Sequence, residues 1–162
     1  MTGKNIRKLV LAALLAALTA VATMIIRIPT PTQGYIHLGD GMVLVCGILL
    51  GPGLGALAAG IGSMMADLIG GYMAWVPGTF AIKALTALLG GWLYHRMAGK
   101  GMNTITRVVL CGIPAEIIMV LSYFVYEVGM EVVMGSSMGA AAAGLPHRRV
   151  RRHDRPAHQA GL

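Results

Sequence analysis

Charge is scarce in this sequence. Only 12% of its 162 residues are Asp, Glu, Lys or Arg, about half the roughly 25% usual in soluble domains. Hydrophobic residues make up 56%, and mean hydropathy is +0.72. A chain this short leaves much of its surface exposed when it folds in water, and there is too little polar surface here to cover the apolar remainder. That excludes a water-soluble globule and predicts one membrane-embedded, all-α bundle. Cysteine is nearly absent: Cys46 and Cys111 lie in apolar runs, without the spacing of a metal site or disulfide framework. They read as small buried hydrophobes.

Catalytic signatures are missing too. There is no HExxH, GxSxG or Walker A sequence, and three of the five histidines fall in the last sixteen residues. No enzymatic activity, metal or cofactor is expected, and an ATPase that drives any pumping would be another chain. Five arginines (Arg148, Arg149, Arg151, Arg152, Arg155) crowd the C-terminus. With no aromatic interleaving or binding fold they make no case for nucleic-acid binding.

What is abundant is glycine, alanine and methionine in long apolar runs. The first, Ile6 to Ile26, follows Lys4, Arg7 and Lys8 and is long enough to cross a bilayer. Ala20-Val21-Ala22 mimics a signal-peptide cleavage site, but the apolar stretch exceeds the usual length of such a region, and further spans follow. A polar link with Pro29 and Pro31 leads to a thirteen-residue run, Leu38 to Leu50. About 20 Å of helix falls short of a hydrocarbon core of roughly 30 Å. Such a span is expected beside a cavity, with part of the 30–40 segment dipping inward as a cap. The competing reading is a tilted helix that begins one turn earlier. Gly51-Pro52-Gly53 marks a turn. Runs over 54–69, 79–94 and 108–126 follow, giving five helices, or six if 128–145 is stretched into another.

Lys and Arg in short loops mark the cytoplasmic side. The basic N-terminus and the 95–107 connection therefore belong inside. Segments 27–37 and 70–78 then lie outside. Interfacial aromatics agree, with Trp92 and Tyr94 at the inner edge and Tyr72, Trp75, Tyr123 and Tyr126 at the outer. Charges at membrane depth normally face a bundle interior or wet cavity. Asp40, Asp67 and Lys83 sit toward the outer ends of their runs, and Glu116 lies deeper, just after Pro114. Asp67 and Lys83, at compatible depths on adjacent helices, form either a structural ion pair or the lining of an outward-opening pocket. Ala12, Ala16 and Ala20 recur every four residues on the first helix, with Ala13 and Ala17 beside them. Gly51, Gly55, Ala59 and Ser63 repeat the pattern into the third. Such stripes let helices approach closely, either within the chain or against another subunit.

Several ordered segments resemble a known family: Ile36-His37-Leu38-Gly39-Asp40, Leu50-Gly51-Pro52-Gly53-Leu54-Gly55-Ala56-Leu57, Gly62-Ser63-Met64-Met65-Ala66-Asp67-Leu68, Trp75-Val76-Pro77-Gly78-Thr79 and Ile82-Lys83-Ala84-Leu85. Together they are similar to the substrate-binding S components of energy-coupling factor (ECF) transporters, in the riboflavin/hydroxymethylpyrimidine-like branch. The resemblance covers roughly residues 6 to 145 and is most specific over 36–91. It implies a six-helix, multi-pass protein of the cell membrane that captures a vitamin or vitamin precursor from outside. Its partners would be a transmembrane coupling subunit (the T component) and two cytoplasmic ATPases. Candidate ligand-binding residues are His37, Gly39, Asp40, Asp67, Trp75, Lys83 and Glu116. Ala12, Ala16 and Ala20 would dock the coupling subunit, and the loop from Gln33 to Asp40 would cover the ligand.

The sequence departs from that pattern after Pro146. Where a sixth helix is expected, the chain turns to His147-Arg148-Arg149-Val150-Arg151-Arg152-His153. We expect a membrane domain over 1–146 and a basic tail over 147–162, disordered or produced by a shifted reading frame. Two alternatives stay open. One is a self-contained channel or secondary carrier using Asp67, Lys83 and Glu116 as an ion path; the other is a non-functional truncated product.

Overall fold

The computed structural model describes residues 3–25, 27–29 and 35–133. Five helices follow in order: α1 (Gly3–Ile25), α2 (Gly39–Leu50), α3 (Pro52–Gly70), α4 (Val76–Arg96) and α5 (Thr104–Val133). Two three-residue strands, β1 (Arg27–Pro29) and β2 (Tyr35–His37), pair antiparallel between α1 and α2, with Ile28 opposite Ile36. The expected link between the first two helices is thus partly a β-ribbon, and β2 touches α1. The all-α expectation holds for the rest. Four helices (α1, α3, α4 and α5) are long and apolar enough to cross a membrane, and α2 is the shorter apolar one.

α2 begins at Gly39 and stops after twelve residues, so the short helix does not start a turn earlier. It ends because Gly51, the single residue before α3, has φ of 82°, which glycine adopts without steric cost. Pro52 then opens α3, where its missing N–H is no loss. The result is a tight helical hairpin. A methyl group added at Gly55 would overlap the Cys46 carbonyl and crowd the Gly47 Cα. α3 ends at Gly71 (φ 81°), whose N–H bonds the last-turn carbonyls.

The hairpins alternate in direction. α3 reverses into α4, bringing Gly60 against Phe80, and α4 reverses into α5, bringing Gly78 against the Tyr126 ring and Gly90 near Ala115. α2 and α4 run parallel in backbone contact, Gly47 against Ala87 and Gly91, and α1 and α3 do the same at Ala16 and Gly62. α3 packs on α1, α2 and α4, while α5 packs chiefly on α4. The core is built of Ala12, Leu15, Val43, Cys46, Ala58, Ala59 and Ala87. Many large apolar side chains face outward instead, among them Leu9, Ile25, Ile105, Val120, Phe124 and Val125, as a lipid-facing surface requires. Buried hydroxyls are satisfied locally. Thr19, Thr23 and Thr86 donate to the carbonyls of Leu15, Thr19 and Ile82, four residues back, at 2.8–2.9 Å.

α5 overruns its expected end. It carries on past Tyr126 through Glu127 and Glu131 to Val133, some 45 Å in all at 1.5 Å per residue. Apolarity ends where lipid ends, whereas a helix ends only where its backbone bonding does.

Candidate functional site

The alternation of hairpins places Lys4, Arg7, Lys8, Arg96, Lys100 and Arg107 at one end of the bundle, and Asp40, Asp67, Trp75 and Tyr126 toward the other. Lys83 lies about two turns into α4 from that second end, at 1.5 Å per residue. It is the largest fully buried side chain among the described residues, with 1% of its surface exposed. A buried ammonium is tolerated only if it is paired. Its partner is the carboxylate of Asp40, the second residue of α2. The pairing follows from the parallel run of α2 and α4, whose glycine contact at Gly47, Ala87 and Gly91 sets the register.

The remaining contacts of Lys83 come from α5. Its Nζ lies 3.0 Å from the Met119 sulfur and 5.1 Å from the centre of the Tyr123 ring. The ring face of Tyr123 can offset part of the lost hydration. Glu116, half-buried one turn from Met119, lies within electrostatic reach of both Asp40 and Lys83.

Above the lysine stands an aromatic cluster. Trp75, just before α4, packs 6.3 Å from Tyr123 and 5.7 Å from Tyr126, centre to centre. The Tyr126 hydroxyl donates to the Ala74 carbonyl at 2.6 Å, and the Tyr123 hydroxyl reaches the Thr79 hydroxyl at 3.5 Å. Gly78 permits this, because any side chain there would strike the Tyr126 ring. From the end of the bundle inward, the site reads Trp75 and Tyr126, then Tyr123 and Thr79, then Lys83 with Asp40 and Met119, then Glu116. The column thus sets aromatic rings over a neutralised charge pair.

The sequence-predicted residues divide accordingly. Asp40, Trp75, Lys83 and Glu116 come together, and Gly39 adjoins Asp40 at the start of α2. Asp67 is buried at the last turn of α3, and its carbonyl accepts the N–H groups of Gly71 and Tyr72. The ion pair of Lys83 is with Asp40, a partner that depth matching along sequence-adjacent helices could not single out. His37 ends β2, two residues before α2. Sequence reasoning missed Thr79 and Met119, and took Tyr123 and Tyr126 only as interfacial markers. The available signal was the 119, 123, 126 spacing, which is one helical face.

Residues 3–146 match the family described as ECF-type riboflavin transporter, S component. The chain belongs to that family. An S component is a membrane-embedded transport protein and not a catalyst, in keeping with the absence of enzymatic motifs. An uncharacterized Pyrococcus woesei protein is 39% identical over 104 residues, an alignment covering 64% of this chain and 66% of that relative. The chain thus spans just under two thirds of the curated relative's length. No solved structure matches.

The small-residue stripe on α1 divides between inward and outward positions. Ala12 is buried, and Ala16 packs against the core with its carbonyl beside Gly62 of α3. Ala20 is half-buried, while Ala13 and Ala17 are exposed. The Ala12–Ala16 part of the stripe therefore already serves helix packing within the chain, and the outward small residues lie one position further on.

Proposed function

We propose that this chain is the substrate-capturing subunit of a vitamin importer, lying in the cell membrane with its N-terminus in the cytoplasm. It takes a small heterocycle from the outer face, and a transmembrane coupling subunit with two ATPases drives uptake. The carrying observation is the column from Trp75 to Lys83, aromatic at the bundle end and charged beneath it. Its end is opposite the six basic residues, which fits the tendency of Lys and Arg to stay inside. Asp40, Trp75, Lys83 and Glu116, joined by Thr79, Met119, Tyr123 and Tyr126, are the proposed ligand contacts. Gly39, His37 and Asp67 are proposed as further ligand contacts, and the α1 face beside Ala12, Ala16 and Ala20, outward at Ala13 and Ala17, is proposed for the coupling subunit. Residues 134–162, where a sixth helix or the basic tail would lie, fall outside the described residues. The family match ends at Pro146, which supports reading 147–162 as separate from a 1–146 membrane domain.

The family description makes riboflavin the first ligand to try. Purified protein titrated into riboflavin should quench its fluorescence with nanomolar-to-micromolar affinity, and Trp75→Ala should weaken binding at least tenfold, since base–aromatic stacking contributes roughly 1–3 kcal/mol. If neither riboflavin nor any co-purifying heterocycle found by mass spectrometry is retained, the capture reading fails. Uptake that collapses with membrane potential while ATP stays high would indicate a self-contained carrier instead.

Orientation has its own test. Cys46 and Cys111 are buried, so they give a quiet background for labelling. Cysteine placed at position 4 or 100 should resist an impermeant reagent in intact cells and react after permeabilisation. Labelling from outside would reverse the site.

A further inference from the structure

The pair of Lys83 and Asp40 is neutral as a whole, but its two ends are not equally accessible. Lys83 keeps 1% of its side-chain surface exposed and Asp40 keeps 21%. The ammonium is covered by the Met119 sulfur and the Tyr123 ring, so the carboxylate is the end that an incoming molecule meets. Glu116 supplies a second carboxylate. It is half-buried, three residues before Met119 and seven before Tyr123, a spacing that puts all three on one face of α5. Asp40 and Lys83 both lie within its electrostatic reach. Among the described residues, no hydrogen bond or ion pair engages Glu116. Asp67, at the last turn of α3, adds charge of the same sign within reach of Tyr123.

No second cation stands at this end of the helices. Across α2 to α5 the only Lys or Arg besides Lys83 are Arg96 and Arg107, which belong to the opposite end of the bundle. A carboxylate at membrane depth is costly unless an opposite charge meets it, and Lys83 is already committed to Asp40. Over these groups stand Trp75, Tyr123 and Tyr126. Aromatic ring faces carry partial negative charge and attract a cation, the more strongly where water is excluded. Rings above and carboxylates below favour positive charge in the space between them.

We infer that the captured ligand is an organic cation, a flat nitrogen heterocycle whose positive charge is met by Glu116 and the open side of Asp40 beneath the aromatic rings. This rests on the capture reading above and narrows its ligand by charge.

Proflavine and riboflavin separate charge from shape. Both are fluorescent and share a flat tricyclic frame, but only proflavine is positively charged at neutral pH. Quenching titrations of the full chain in neutral detergent should give proflavine an affinity about tenfold above that of riboflavin, since contacts to a charge are roughly twice as strong as neutral ones. Glu116→Gln, which mimics a carboxyl discharged by a proton, should cut proflavine affinity about tenfold and riboflavin affinity much less, while melting close to the parent. Glu116→Asp keeps the charge and should keep the preference. If riboflavin binds the more tightly, if Glu116→Gln leaves the preference as it was, or if Glu116→Asp loses it equally, the cation assignment is overturned while capture of a heterocycle stands. If neither dye nor any co-purifying heterocycle is retained, capture itself fails and the assignment falls with it.

Discussion

Lys83→Met should lower stability by about 3 kcal/mol, toward the lower end of what breaking a buried ion pair costs, because the Asp40 side chain keeps 21% of its surface exposed. In detergent that corresponds to a drop in Tm of roughly 10 °C. The lysine's removal strips the Asp40 carboxylate of its cation while the Met119 sulfur and Tyr123 ring remain around the vacated position. Riboflavin affinity should fall with it, since the proposed floor of the site would change from neutral to anionic. The double variant, Lys83→Met with Asp40→Asn, should recover most of the stability without recovering the affinity, as replacing both partners removes the uncompensated charge. Glu116 lies within electrostatic reach of the pair, and Glu116→Gln should cost well under about 1 kcal/mol, in the range of a weak electrostatic neighbour. A Lys83→Met protein that melts with the parent and binds ligand normally would show that the pair neither holds the bundle nor lines the site.

Gly47→Ala should be comparably damaging although it adds a single methyl group. That methyl would overlap the Ala87 carbonyl of α4, and Gly91 in turn lies against the Gly47 carbonyl. These are backbone atoms, which cannot turn aside as a side chain would. The helices must separate, at a cost of about 2–3 kcal/mol, the upper part of the range for overpacking. Asp40 is seven residues away along α2, so separation at Gly47 would also draw its carboxylate from Lys83. Both Tm and ligand affinity should therefore drop. Gly41→Ala is the matched comparison: it lies nearer the ion pair on the same helix, yet an added methyl group meets nothing within 4 Å. It should be neutral or stabilising by a few tenths of a kcal/mol through reduced chain entropy. If the two substitutions behaved alike, close backbone packing would not be what fixes the register of α2 on α4.

How much of this was legible beforehand depends on the range of the interaction concerned. Apolar runs, the Gly51-Pro52 turn and the brevity of α2 are local properties, and the helix bounds lie within about one turn of the runs except at the end of α5. There apolarity fades at Tyr126, but the helix continues for about two turns. The β-ribbon of Arg27–Pro29 and Tyr35–His37 was missed, because three-residue strands leave no periodicity to detect. Asp40 and Lys83 each read as charges that must face inward, from the cost of exposing them to lipid. That they face one another was not legible, since 43 residues and two intervening helix reversals separate them.

By itself, then, the sequence determined that this chain lives in a bilayer, where its helices run, which end of the bundle is basic and which side chains lipid would not accept. Those conclusions depend only on the cost of moving each group from water into hydrocarbon, which is a property of residue type. Tertiary structure decided which buried charges neutralise each other, that Tyr123 and Met119 complete the environment of Lys83, and that Ala12 and Ala16 are committed in part to α3. Those outcomes depend on which backbones approach within contact distance, and that is set by glycines at Gly47, Gly62, Gly78 and Gly91 meeting partners far away in the chain.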